Sequence, residues 1–151
     1  MAADNALRIG VAWRELRRGA AMQGLRRQLY GAGPEAIDMG QVDTLDLLVQ
    51  RPAWRMRDLA AALRVDASTA TRAVSRLVDA GLVTRTAAPD DARVVMAAAT
   101  ARGRRAQQRL AERRRHLLDR ILDDFDDGEQ ERLADLLERL VRGVDRVVDG
   151  A

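Results

Sequence analysis

Cysteine is absent from the 151-residue chain, which excludes disulfide scaffolds, thiolate-held zinc, iron-sulfur clusters and sensing through a thiol. A single histidine, His116, removes the common catalytic triads and multi-histidine metal sites. Aromatics are scarce, only Trp13, Tyr30, Trp54 and Phe125, and lysine is missing, so all 26 basic residues are arginine. The longest apolar run covers residues 94–99, against roughly 18 residues needed to cross a bilayer. The opening MAADNALRIG has no signal-peptide core. These absences lead us to expect a cytoplasmic protein that neither spans nor binds a membrane and needs no cofactor or metal.

What is present is small and aliphatic, with 27 Ala, 19 Leu and 13 Val, a mixture that favours helices. The length suits one ordinary domain with a real core. The formal charge of +3 conceals a strong asymmetry along the chain. Residues 51–115 hold 15 Arg and 6 acids, net +9; residues 1–50 hold 6 and 6, net zero; residues 116–151 hold 5 and 11, net −6. General solvation does not require such a split, and a basic middle points to a polyanionic partner.

Helical spacing of Ile9, Trp13, Leu16 and Ala20 predicts one helix through residue 30, stopped by Gly31, Gly33 and Pro34. A short helix with Val42, Leu45 and Leu48 is expected from Ala36 to just before Arg51-Pro52. Residues 56–63 form the next, Arg64-Val65-Asp66 make a turn, and Asp66 is placed to cap a helix over 67–80. That helix buries Ala70, Val74, Leu77 and Val78 and ends at Gly81. Its other face shows Ser68, Thr69, Thr71, Arg72, Ser75 and Arg76, polar and without an acid. Residues 82–86 and 93–98 read as two strands around the Pro89-Asp90-Asp91 turn, the second weakened by its alanines. Thr100 caps a long helix to about residue 124. The last helix starts at a capping-box pair, Asp126 and Glu129, and carries Leu133, Leu136, Leu137, Leu140, Val144, Val147 and Val148.

Two short helices joined by a three-residue turn and followed directly by a hairpin make a winged helix-turn-helix. The expected fold class is therefore mainly α with a small β-hairpin wing and a helical dimerisation region. The major groove of duplex DNA admits one helix whose exposed donors read base edges, and a flanking hairpin reaches the neighbouring minor groove. Both elements carry arginine here.

The run D-L-A-A-A-L (58–63), V-D-A-S-T-A-T-R (65–72), L-V-D-A-G-L-V-T-R (77–85), the wing D-A-R (91–93) and T-A-R-G (100–103) resembles, in order and spacing, the MarR family of multiple antibiotic resistance regulators. The resemblance extends from about Asp38 to Leu140. It implies a transcriptional regulator, not an enzyme, that acts as a repressor on a pseudo-palindromic operator. It also implies a homodimer in which residues 1–35 and 100–151 intertwine while residues 36–99 bind DNA. A two-fold dimer would also cover apolar stripes that one protomer leaves bare. Carried over by position, Ser68, Thr69, Thr71, Arg72, Ser75 and Arg76 form the recognition surface, with Arg85 at the G-L-V-x-R exit. Arg93 is the implied minor-groove arginine, and the acid that orients it is Asp91 or, one position earlier in the Pro89-Asp90-Asp91 turn, Asp90. Arg55 departs from the family, standing where a Ser or Thr cap is usual, as does Ala99, which replaces a leucine.

The resemblance further implies release by a small aromatic or anionic effector, with Trp13, Trp54 and Met56 as candidate lining and core packing as their alternative role. His116 reads as a surface or interface side chain, and the acids from Asp123 to Asp127 as helix punctuation, since they lack the glycine and glutamate positions of a calcium loop. Two rival functions remain: an architectural or anti-silencing DNA-binding protein without an effector, and a helical interaction module that never meets DNA.

Overall fold

The computed structural model describes residues 2–31 and 37–150. The stop expected at Gly33-Pro34 and the helix start expected at Ala36 lie outside those residues. The described chain falls into two units, residues 1–112 and residues 113–151.

In the first unit, α1 (Ala2–Arg18) and α2 (Ala20–Tyr30) replace the single helix expected there, because Gly19 takes an extended ψ of 150° and starts α2 afresh. Helix α3 spans Met39–Leu48. Asp38 accepts from the Gln41 amide at 2.9 Å while the Gln41 side chain accepts from the Asp38 amide at 3.1 Å, so a closed capping box sets the start. Strand β1 (Trp54–Arg55) leads into α4 (Met56–Leu63), whose N-cap, Arg55, makes no side-chain cap bond. Arg64 ends α4 in the left-handed region, at φ 55° and ψ 41°. Helix α5 (Ala67–Asp79) follows, and Gly81, at φ 69°, turns the chain into β2 (Val83–Ala87). Strand β3 (Val95–Ala99) returns, and α6 (Ala101–Ile121) leaves the unit.

The sheet is three-stranded and antiparallel, ordered β1-β3-β2. A two-stranded hairpin was expected, and β1 is the addition. It is too short to show a period, and it exists because Trp54 pairs with Ala97 and Arg55 with Met96. The alanines of β3 are poor strand formers, yet β3 is the central strand, and pairing on both sides outweighs propensity. Leu45, Leu48, Leu59, Val74 and Leu77 are fully buried beneath the sheet, with Trp54 and Val83 beside them. The Trp54 indole donates to the Leu47 carbonyl at 3.0 Å, so its one polar atom is satisfied within the core. The Arg51 guanidinium lies 4.1 Å from its ring centre.

The second unit holds the last turns of α6 and helix α7 (Asp127–Asp149). Asp126 and Glu129 close the capping box expected of them, at 2.9 and 3.1 Å. No residue of α7 is buried, although its leucines and valines fall on one stripe. Among the described residues no helix is long and apolar enough to cross a membrane, and no group of three or more acids or histidines could hold a metal ion. His116 is exposed.

Candidate nucleic-acid interface

Helix α5 is anchored at its start by one carboxylate. Asp66 Oδ1 accepts from the Thr69 amide at 2.8 Å and from Ser68 Oγ at 2.5 Å, and Oδ2 accepts from Thr69 Oγ1 at 2.7 Å. These donors, the Ser68 hydroxyl first and then those of Thr69, hold the Asp66 carboxyl well below the usual carboxylate range. Ser68 and Thr69, both read as DNA-facing, thus form the cap network as well, and Thr69 Oγ1 also accepts from Arg72 Nη2 at 3.1 Å. Thr71 and Arg72 are exposed on the next turn. The N-terminal half of α5 therefore offers one arginine and two hydroxyl residues whose positions are set by Asp66.

Asp66→Ala is expected to lower the melting temperature and to loosen this turn, whereas Asp66→Asn, which keeps an acceptor, lowers it less. Because the folded carboxyl titrates below its unfolded value, its contribution is complete above the ordinary aspartate range and is lost as the pH falls beneath it. Thermal melts of wild type and Asp66→Ala between pH 3 and 7 check this, since the difference between the two should shrink only at the acid end.

Arg76 and Ser75 behave differently from the residues above them. The Arg76 guanidinium points back to Asp38 at the start of α3, Nη1 to Oδ2 at 2.5 Å. Arg85 of β2 turns onto α5, donating to the Thr71 carbonyl at 3.0 Å and to Ser75 Oγ at 2.8 Å. The face read from the sequence as one surface is thus divided: Thr71 stands with Ser68, Thr69 and Arg72, whose side chains bond among themselves and to the Asp66 cap, while Ser75 and Arg76 are engaged from other elements, by Arg85 of β2 and Asp38 before α3.

The wing turn is shaped by its own acids. Asp91 Oδ1 accepts from the Arg93 backbone amide at 2.9 Å, so Asp91 acts on Arg93 through the main chain and not by gripping its guanidinium. Asp90 pairs instead with Arg55, at 3.3 Å. That pair joins the wing to the start of α4 and gives Arg55 a role in place of the missing cap. Arg93 itself is exposed.

Trp54 and Met56 belong to or pack against the core, while Trp13 is 51% exposed on α1. A cavity of about 750 Å³ lies elsewhere, lined by Ile37, Asp38, Gln41, Arg76, Asp79, Ala80, Leu82, Arg102, Ala106 and Arg109. Of these the sequence pattern marked only Arg76. Arg102 and Arg109 lie seven apart, on one face of a helix, and that spacing is the signal that could have drawn attention to them.

Residues 37–95 match the MarR family model. The HTH-type transcriptional regulator BilQ of Clostridium symbiosum is 26% identical over 106 residues, 70% of this chain and 74% of that protein. The PcaV transcriptional regulator of Streptomyces coelicolor superposes with a TM-score of 0.71 at 26% identity, covering 90% of this chain and 96% of that one. FabT of Streptococcus pneumoniae, solved in complex with DNA, shares the fold with a TM-score of 0.79 at 19% identity, over 94% of this chain and 99% of its own. The matched segment takes in helices α3 to α5 and the β2–β3 turn just described, and over it the chain is similar to the MarR family.

Proposed function

We propose that the protein is a cytoplasmic repressor that binds a pseudo-palindromic operator as a homodimer and is released by a small anionic effector. Residues 36–99 bind DNA in this reading, and residues 1–35 and 100–151 form the dimer. One observation carries the DNA reading above all: the exposed start of α5, with Thr71 and Arg72 outward and no acid among them, stands beside a wing tipped by Arg93. A two-fold dimer sets two such helices about one DNA turn apart. Support for the dimer comes from the apolar side chains left exposed on α1 and α7, among them Leu7, Ile9, Leu16, Leu136, Leu137 and Val144.

Selection of bound sites from random duplexes tests the function. A repressor prefers its selected operator over random DNA by roughly 10³-fold or more at fixed salt. A ratio near one supports the architectural reading, and no binding at low salt supports the interaction module.

We assign the effector to the cavity bordered by Arg76, Arg102 and Arg109, and not to Trp13, Trp54 and Met56, because Trp54 is only 5% exposed and its indole nitrogen is engaged. An anion there competes with Asp38 for Arg76, and Arg76 belongs to α5, so occupancy bears directly on the recognition helix. The requirement is differential affinity: the anion must prefer the DNA-free form of the protein.

Arg72→Ala is expected to cost about 1–3 kcal/mol and to relax base preference at one position per half-site, because an arginine at this point of the helix donates two bonds to guanine. Arg93→Ala weakens binding most on A·T-rich flanks, where the narrow minor groove concentrates negative potential. Asp91→Ala gives a milder form of the same loss, since the Asp91 carboxylate fixes only the turn that presents Arg93. Titrations on operators that differ only in flank composition check both; equal losses on all flanks would reduce Arg93 to a phosphate contact.

A further inference from the structure

The alternation of β2 divides its side chains between two faces. Val83, Arg85 and Ala87 fall on one and Thr84 and Thr86 on the other. Val83 is buried in the core, so the face it shares with Arg85 is the one turned toward the helices. Arg85 stands in register with Ala97, which stands in register with Trp54, so the three form one row across the sheet. Trp54 ties that row to α3 through the Leu47 carbonyl. At the other end of the row, Arg85 Nη2 donates to the Thr71 carbonyl at 3.0 Å and to Ser75 Oγ at 2.8 Å. The Ser75 hydroxyl spends its only hydrogen on the same Thr71 carbonyl, at 2.8 Å. Three groups therefore close a ring, and the hydroxyl of Ser75 has no donor left for a base.

We propose that Arg85 and Ser75 are positioning residues for operator recognition: together they form a strut that fixes the middle of α5 against β2, the edge strand of the wing sheet, and neither contacts DNA. The helix and the wing enter different grooves, and their relative setting decides whether both can be seated on one half-site. Phosphate attraction tolerates a loose setting, whereas base reading depends on it. The strut therefore acts on specificity and leaves non-specific binding nearly untouched. The inference rests on the operator-binding reading above. If wild type itself fails to prefer a selected operator over random DNA, that reading fails; if wild type discriminates, the variants judge the strut alone.

The experiment measures the affinity of the dimeric full-length protein for the selected operator and for a random duplex of equal length, across a range of salt. The proteins are wild type, Arg85→Met, Ser75→Ala and the double variant. Arg85→Met is expected to lower the operator-to-random ratio about tenfold, the equivalent of one charge-assisted hydrogen bond. The slope of log affinity against log salt stays at the wild-type value. Ser75→Ala, which favours the helix and does not unfold it, lowers the ratio in the same sense. The double variant falls no further than Arg85→Met within about twofold, because both changes remove one device. A salt slope smaller by about one, with equal losses on both duplexes, identifies Arg85 as a phosphate contact and overturns the proposal. Additive losses, or a Ser75→Ala ratio equal to wild type, overturn it as well, and this arm holds even if Arg85→Met fails to fold.

Discussion

Leu140→Asp is expected to leave the protein monomeric at micromolar concentration while its winged domain stays folded. The stripe of α7 runs through Leu133, Leu136, Leu137, Leu140, Val144, Val147 and Val148, at helical spacing, and no residue of that helix is buried by its own chain. Leu137 is 48% exposed and Leu140 38%. Covering a leucine contributes about 1.5–3 kcal/mol, so a stripe of this length supplies ample driving force for association. A carboxylate at its middle, introduced twice in a two-fold dimer, must be desolvated without a partner, which costs several kcal/mol for each copy. The core formed by Leu45, Leu48, Leu59, Val74 and Leu77 belongs to the other unit, among α3, α4 and α5. DNA binding suffers through linkage: once the two recognition helices are separate molecules, affinity for the full operator falls about 100- to 10,000-fold, while a half-site is bound as before. Sedimentation with circular dichroism and operator titrations measure the three effects together. A Leu140→Asp protein that sediments as a dimer would remove α7 from the interface.

The elements that sequence pattern located best are those whose signals are local. Residues 56–63 form α4 as expected, Gly81 closes the recognition helix with a positive φ, and Asp126 with Glu129 opens α7. Each depends on neighbours within a turn of chain. The features that escaped are set by distant partners. Strand β1 exists only because β3 lies beside it, and Asp90 of the wing turn pairs with Arg55, 35 residues earlier. The break between α1 and α2 had a local marker, Gly19, but an apolar period continuous across it read as one helix. In the interface, the exposed face of α5 was legible as a list of polar positions. Its division was not, because a helical wheel cannot tell which arginines are answered from outside the helix. Asp38 answers Arg76 across 38 residues, and Arg85 answers Ser75 across 10. The second of these had a usable signal in the shared parity of Val83 and Arg85.

Gly103→Ala is expected to lower the melting temperature by on the order of 10 °C and to reduce operator binding in step. A Cβ on Gly103 would collide with the Leu82 carbonyl oxygen and lie 3.0 Å from its carbon, both main-chain atoms that have no rotamer to escape into. Helix α6 must therefore withdraw from the chain linking α5 to β2. That link is also where Thr100 is fastened: its amide donates to the Leu82 carbonyl at 2.9 Å, its hydroxyl to the Gly81 carbonyl at 2.9 Å, and the same hydroxyl accepts from the Gly103 amide at 2.9 Å. Overpacking of this kind costs about 1–3 kcal/mol, and losing the Thr100 cap adds about 0.5–2 kcal/mol. For a chain of this size each kcal/mol moves the melting temperature by about 2–4 °C. On the proposed reading binding follows, because Gly81 and Leu82 link α5 to β2 and displacing them disturbs both elements at once. Gly24→Ala supplies the comparison: its Cβ meets nothing within 4 Å, inside helix α2, and alanine there is better for a helix by up to about 1 kcal/mol. It should not lower the melting temperature. A Gly103→Ala protein that melts with wild type and binds its operator normally would show that α6 does not approach Leu82 this closely.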